Sequence, residues 1–259
     1  MSDLKITILG CGSSFGVPLF HNIWGKCDPK EPKNRRTRPS ILVQKNNKNL
    51  LIDTSPDLKQ QFLSNKIDNI DAVFYTHEHA DHTHGINELR SINLIHGKII
   101  PCYGNEQTME KITNSFNYLF ENTEKSYYPA ILSKNLYSSK EFEIFGINIK
   151  LISQNHGDID SIGFIFDDKV AYNLDVKYFY DKEFFKKIEN IDHWIVGCLR
   201  IDPHISHASL SEVKEWLDIV KPKKAYLSHM TAHLDYKDTI NYLDNKNYMP
   251  AYDGQILEL

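Results

Sequence analysis

Four candidate metal ligands fall within six residues: His77, His79, Asp81 and His82. His77 and His79 are two positions apart, so on an extended strand end their imidazoles project to the same side. Asp81 and His82 come after a turn and can face a second point. Imidazole nitrogen and carboxylate oxygen suit borderline divalent metals. One short segment can therefore serve two ions, and such a pair can turn water into a nucleophile near neutral pH. A lone histidine is usually structural or solvated. Four such groups packed together without a shared partner would be costly, which favours the metal reading. The apolar run Asp71–Thr76 before the cluster reads as a buried strand, so the ligands lie where a strand gives way to a loop.

Other histidines and an aspartate end strand-like runs downstream. His156 closes the run from Ile147, Asp175 the run from Lys169, and His229 the run from Lys224. With these in place, the pattern His-x-His-x-Asp-His resembles that of the metallo-β-lactamase fold superfamily. The resemblance spans nearly the whole chain and implies a four-layer αββα sandwich with metals at one edge. By position it implies two divalent ions, zinc or manganese. His77, His79 and His156 would hold one, Asp81, His82 and His229 the other, and Asp175 would bridge them. The bridging aspartate resembles the phosphodiesterase and thioesterase branches, not the antibiotic-hydrolysing enzymes.

Four further motifs resemble the PhnP-like subgroup, whose namesake opens cyclic phosphates of ribose: Gly10–Pro18, Trp24–Pro29, Asn34–Arg38 and Pro203–His207. The last resembles the loop that supplies a non-ligand histidine in phosphodiesterases. On that likeness His207 assists at phosphoryl or leaving oxygens, a role suited to a group that titrates near working pH. Catalysis would fall to His207, Asp81 and Asp175. The alternative for His207 is a capping or solvated loop histidine. His204 reads as structural or as support for the ligands, and His84 as support or surface. Asp53 ends a strand and can hydrogen-bond a ligating imidazole. Guanidinium forks match phosphate geometry, so Arg35, Arg36 and Arg38 are candidates for substrate binding, with Arg200 competing for the role. The bland alternative is a solvated basic loop, or pairing with Asp28 and Glu31.

The expected activity is that of a dinuclear-metal phosphodiesterase acting on a small cyclic phosphate or nucleotide. The alternatives are a tRNA 3′-processing nuclease, a glyoxalase II-type thioesterase, or a non-catalytic protein that uses metal for folding or ligand binding. The nuclease family usually carries a long glycine- and basic-rich arm, and no such insertion is seen. A net charge of −4 gives no general basic field, so extended nucleic acid is not expected as a partner. A homodimer is compatible with the sequence.

The elements that must position these residues follow from patterning. The 259 residues are 41% hydrophobic, enough to bury a substantial core. No linker or short-period repeat divides them, so a single domain over 1–259 is expected. Neither a signal-peptide pattern nor an apolar run of membrane-spanning length is found, which points to the cytoplasm. The cysteines Cys11, Cys27, Cys102 and Cys198 form no Cys-x-x-Cys pair and read as reduced thiols. Some relatives bind an extra metal through several thiols in the loop of Cys27. One thiol is too few, so Cys27 reads as structural.

Strands are expected at Leu4–Leu9, Ser40–Gln44, Asn49–Asp53, Ile99–Tyr103, several across 127–166, Lys169–Asp175, Asp192–Cys198 and Lys224–His229. Helices are expected from Pro56 to about Lys66, Gly85 to Ile95, Glu106 to about Phe120, Ser209 to Val220 with a Ser209/Glu212 capping box, and about Tyr236 to Leu243. Lys177 to Ile188 reads as helical or irregular. Strands alternate with helices in both halves, which implies two sheets between helical layers.

Overall fold

A computed structural model of the protein describes residues 4–122 and 129–259. Positions 127 and 128 of the expected strand region lie outside the described residues. One sheet holds seven strands: β1 (Lys5–Gly10), β2 (Ser40–Lys45), β3 (Lys48–Ile52), β4 (Ala72–Phe74), β5 (Ile100–Gly104), β6 (Leu132–Leu136) and the C-terminal β15 (Gln255–Glu258). Its order is β15-β1-β2-β3-β4-β5-β6. The second sheet holds β7 (Glu141–Ile144), β8 (Ile147–His156), β9 (Ile159–Phe166), β10 (Val170–Asn173), β11 (Tyr178–Phe179), β12 (His193–Gly197), β13 (Lys224–Ser228) and β14 (Tyr248–Pro250). Its order is β11-β8-β9-β10-β12-β13-β14, with β7 paired to β8.

Alternation along the strands builds the layers. Ile41, Val43, Leu50, Ile52, Ala72 and Phe74 point to a core shared with Phe164 and Phe166 of the facing sheet. Their neighbours Leu42, Leu51 and Val73 point the other way, into a second core. That second core is closed by α1 (Leu58–Asn65), α3 (Leu89–His96) and α4 (Glu106–Ser115), through Leu58, Phe62, Leu89, Ile92, Met109 and Ile112. On the far sheet α7 (Leu210–Val220) buries Leu210, Val213 and Leu217. Both faces of each sheet are thus covered, which is why the strands read as nearly continuous apolar runs. The short helices α2 (Ala80–Thr83), α5 (Asn117–Phe120) and α6 (Phe184–Lys187), with α8 (Tyr236–Leu243), are the other α-helices among the described residues.

The two sheets repeat one topology. β1-β2-β3 is an antiparallel meander followed by parallel β4, β5 and β6, and β8-β9-β10 is a meander followed by parallel β12, β13 and β14. The ends of β3, β4, β8, β10 and β13 consequently gather at one edge, and the cluster residues lie at or just past them.

Several expected elements differ. The helix placed at Gly85–Ile95 is divided: α2 begins inside the ligand cluster, a 3-10 turn covers Ile86–Glu88, and α3 follows. Gly85 is the cause. Its N–H bonds Thr54 O, and a Cβ there would sit 1.8 Å from Ser55 O. The helix expected at Glu106–Phe120 breaks at Phe116. The segment after Asp175 contains strand β11, and β14 and β15 carried no sequence expectation. Glu212 accepts the Ser209 backbone N–H at 2.8 Å and its hydroxyl at 2.7 Å, so the box at the start of α7 is made through the glutamate.

Candidate metal centre

Asp53 and Asp175 occupy matching places, just past the third strand of each meander. Both are buried and both adopt left-handed backbone, φ 62° and 46°. Such a bend is costly outside glycine, asparagine and aspartate, and here it turns each carboxylate back over the sheet edge. The β4 strand ends at Phe74, and Thr76 to His82 then wrap over the same edge. Gly85 locks this segment down by its close approach to Ser55.

Three groups of side chains present ligand atoms within 4.8 Å of one another around this point: His77, His79 and His156; His77, His82 and Asp175; Asp81, His82 and His229. A fourth group joins His156, Asp175 and His207. Asp175 lies among them. Its Oδ2 is 3.1 Å from His82 Nε2, and its Oδ1 is 3.5 Å from His156 Nε2 and 3.4 Å from His229 Nε2. Asp81 Oδ2 is 3.3 Å from His229 Nε2 and 3.5 Å from His82 Nε2.

Hydrogen bonding behind the rings decides what faces inward. His82 Nδ1 meets Asp53 Oδ2 at 2.7 Å, His77 Nδ1 meets the Thr76 hydroxyl at 2.9 Å, and His156 Nδ1 meets Ser206 O at 3.0 Å. The Thr76 hydroxyl donates to Asp53 Oδ2 at 2.9 Å, so it accepts from His77 Nδ1–H. His156 likewise donates Nδ1–H to the Ser206 carbonyl. The Nε2 atoms of His77 and His82 then face the centre without a hydrogen-bond partner among the described residues, and His156 Nε2 meets His79 Nδ1 there at 3.2 Å. Gly157 (φ 75°) permits the Ser206 contact, since a Cβ there would lie 2.7 Å from Ser206 Cβ.

These residues fit a metal. His77 Nε2, His82 Nε2 and Asp175 Oδ2 are buried and have no hydrogen-bond partner among the described residues, although His82 Nε2 and Asp175 Oδ2 are only 3.1 Å apart. Orphaned buried acceptors cost free energy, and lone pairs converging off hydrogen-bond geometry are what a cation satisfies. Protonation reports the same conflict. Burial drives His77 well below its ordinary range, reinforced by His82. Burial also opposes charge on His82, but Asp175, Asp81 and Asp53 outweigh it and hold His82 well above its usual value. Asp175 is likewise kept far below the carboxylate range by His229 and His82 despite its burial. Cations between these groups would take over the balancing now done by a proton.

His207 stands beside the centre. Its ring is 4.5 Å from that of His156 and 5.0 Å from that of His229, and its Nδ1 is 3.8 Å from Asp175 Oδ1. Burial pushes it down to about 3 against the pull of Asp175, so the ring is neutral at working pH. It opens onto a cleft of about 400 Å³ shared with Ser13, Phe15, Arg200, His204 and His233. His204 Nδ1 contacts Ser206, beside the carbonyl that orients His156. His233 carried no sequence expectation; its signal is its place in the loop directly after His229. Thr76 also passed without a role, because a hydroxyl has no distinctive spacing. His84 is exposed, its ring 5.7 Å from that of Phe116.

The arginines separate. Arg36 does not bind substrate: it is 1% exposed, and its guanidinium holds Thr231 O, Leu234 O and Asn34 Oδ1. The strand-like bridge between Val17 and Arg36 turns its side chain inward, where it staples the glycine-rich loop to the segment after His229. Arg38 grips Asp57 through Nε at 2.8 Å and Nη2 at 2.5 Å, and neither Asp28 nor Glu31 takes that place. Arg200 donates to Asp202 O and Pro203 O, bracing the His207 loop from the cleft. Arg35 is exposed and lies over the Trp24 ring at 5.1 Å. Cys27 is buried, its thiol against Leu234 O and Ala232 O. Among the described residues no ligand group includes it.

Comparison with known proteins gives the family. A beta-lactamase superfamily domain matches residues 48–230. A crystal structure described as a new diphosphatase from the PhnP family is 30% identical and superposes with a TM-score of 0.87, over 99% of this chain and 97% of that one. The chain belongs to the beta-lactamase superfamily and, within it, to the PhnP family of metallohydrolases. An anti-Pycsar protein of Paenibacillus harenae is 24% identical, with 97% of this chain and 98% of that protein covered. An octanoyltransferase of Porphyromonas gingivalis is 25% identical over 89% of this chain, which spans only 46% of that protein. Among the described residues no helix is long and apolar enough to cross a membrane.

Proposed function

We propose that the protein is a dinuclear-metal phosphodiesterase acting on a small cyclic phosphate or nucleotide. The position of Asp175 carries the reading, because one carboxylate reaches imidazoles of both ligand groups within 3.1–3.5 Å. His77, His79 and His156 would hold one zinc or manganese ion, and Asp81, His82 and His229 the other, with Asp175 between them. Two ions so held would supply Lewis acidity toward a phosphate ester and would lower the pKa of bound water. Asp53, Thr76 and Ser206 keep the ligating rings in the required tautomers. His207, neutral and at the mouth, offers an N–H to a phosphoryl or leaving oxygen. An anionic substrate beside it would raise its proton affinity at the moment that oxygen gains charge. The cleft next to His207 has room for a small ester, and its lining mixes apolar Phe15, Leu19 and Leu199 with Ser13, Arg200, His204 and His233.

The test is hydrolysis of bis(p-nitrophenyl) phosphate and a panel of cyclic diesters by purified protein loaded with zinc or manganese. Turnover is expected, and His207→Ala is expected to lose about a hundredfold or more in kcat with unchanged metal content. Failure to cleave any activated phosphodiester with two ions bound would sink the proposal. Cleavage of precursor tRNA in preference to small diesters would replace it with the nuclease alternative.

A further inference from the structure

Phe20 is 93% exposed and Phe15 76%, beside a candidate active site. Phe20 is not loose. Leu19 and Ile23 exchange backbone hydrogen bonds at 2.9 and 3.3 Å, closing a hairpin with Phe20, His21 and Asn22 at its tip. His21 and Asn22 both have φ of 60°, a conformation that must be held by its surroundings. Val17, Leu19, Trp24, Cys27 and Ala232 form a small separate core beneath it. The apolar contacts available to this segment are therefore made by its base, while its tip carries an aromatic ring outward on a fixed stalk. With Phe15 and Ile23, also exposed, it makes an apolar patch along one cleft, the kind of surface that marks a binding site.

The hairpin borders a cleft of about 660 Å³ that Phe20 and Ile23 line together with Phe15, Arg35 and Arg38. Ser14, Phe15 and Gly16 are shared between this cleft and the one that His207 lines, so the two meet along the glycine-rich loop. The Arg38 charge is met by Asp57, whereas Arg35 forms no ion pair among the described residues. Aromatic rings and a guanidinium with no carboxylate partner among the described residues, lining one cleft, complement a flat ring that carries an anion.

We propose that this cleft binds a nucleobase, stacked on Phe20 and Phe15 with its phosphate toward Arg35 and the metal edge, and that the Leu19–Ile23 hairpin selects nucleotides over sugar phosphates. The inference rests on the phosphodiesterase reading and narrows its substrate class. Stacking on an aromatic side chain tolerates any base, so the hairpin sets a preference for a base and not for one particular base.

Binding separates this inference from turnover. AMP and ribose 5-phosphate share the phosphate and pentose and differ in the base, so their affinities for the metal-loaded protein are compared by calorimetry. AMP is expected to bind about five- to a hundredfold more tightly. Phe20→Ala should remove most of that preference, Phe20→Tyr should keep it, and the affinity for ribose 5-phosphate should not change. Equal affinities in the wild type, or a preference untouched by Phe20→Ala and Phe15→Ala, overturns the inference. So does a Phe20→Ala variant that changes only oligomeric state by sedimentation, since the tip would then be a contact between copies of the chain. A protein that prefers AMP but cleaves no diester keeps this inference and loses the phosphodiesterase reading. One that cleaves diesters without the preference does the reverse.

Discussion

Removing the Thr76 hydroxyl should weaken one half of the metal centre and spare the other. Thr76→Val keeps the shape of the side chain and deletes one oxygen. That oxygen donates to Asp53 Oδ2 at 2.9 Å and accepts from His77 Nδ1 at 2.9 Å. Both partners are fully buried. A hydrogen bond to a carboxylate contributes about 1.5–3 kcal/mol, and a buried donor left unpaired costs about 1–3 kcal/mol. Asp53 still accepts the Thr76 backbone N–H at 2.8 Å and His82 Nδ1 at 2.7 Å, so its share of the loss falls at the low end. A total of about 2–4 kcal/mol is expected. Because the His77 tautomer is no longer fixed, affinity for the ion on His77, His79 and His156 should drop about 10–100-fold, the usual effect of losing a group behind a ligand. The ion on Asp81, His82 and His229 should stay. Asp53→Asn is the contrasting change, since it strikes His82 directly and keeps a side chain that tolerates φ of 62°. Competitive chelator titration followed by elemental analysis reads both sites. Thr76→Val should pass through a one-ion species over a wide chelator range. A variant that binds two ions with wild-type affinity would refute the reasoning, and so would Asp53→Asn and Thr76→Val losing the same ion first.

Replacing Arg36 with Met should lower stability by about 1–3 kcal/mol in urea unfolding, because the Leu234 and Thr231 carbonyls and Asn34 Oδ1 lose a charged donor; a change under about 0.5 kcal/mol would show that the staple is idle. Gly85→Ala forces a Cβ into Ser55 O and should cost at least about 1–3 kcal/mol along with metal affinity, whereas an unchanged melting temperature would mean the backbone yields freely. Burial holds His193 at about 4 against an ordinary 6.5, with Lys224 adding to the effect. The unfolded chain therefore binds more protons between these values, and this contribution to stability is present above about pH 6.5 and lost as pH falls toward 4. A proton NMR titration of the His193 ring with its midpoint near 6.5 would contradict that assignment.

Much of the site was legible because its ligands sit where strands stop. A carboxylate or imidazole that follows an apolar run is visible without coordinates, and the ends of β3, β4, β8, β10 and β13 all carry one. The arginines were harder. Asn34–Arg38 looks like an anion clamp in sequence, yet the antiparallel bridge at Arg36 alternates its side chains, sending Arg36 inward and leaving Arg35 outside. The broken helix after the ligand cluster was hidden for a similar reason. The apolar spacing of Ile86, Leu89 and Ile92 is helical, but the contact between Gly85 and Ser55 is long-range and leaves no local trace. The duplicated topology also has no sequence period, because only strand order and direction repeat.

The sequence by itself determined which chemistry was available: residue types, their order, and the strand ends that would carry them follow from local pattern and covalent spacing. Tertiary structure alone decided which lone pairs face one another. Asp53 meets His82 across 29 positions, and Asp175 meets residues from both sheets. Whether an imidazole is a ligand, a brace or a surface group depends on the partner behind its second nitrogen. That partner is supplied by distant backbone and side chains that come together only when two meanders close on one core.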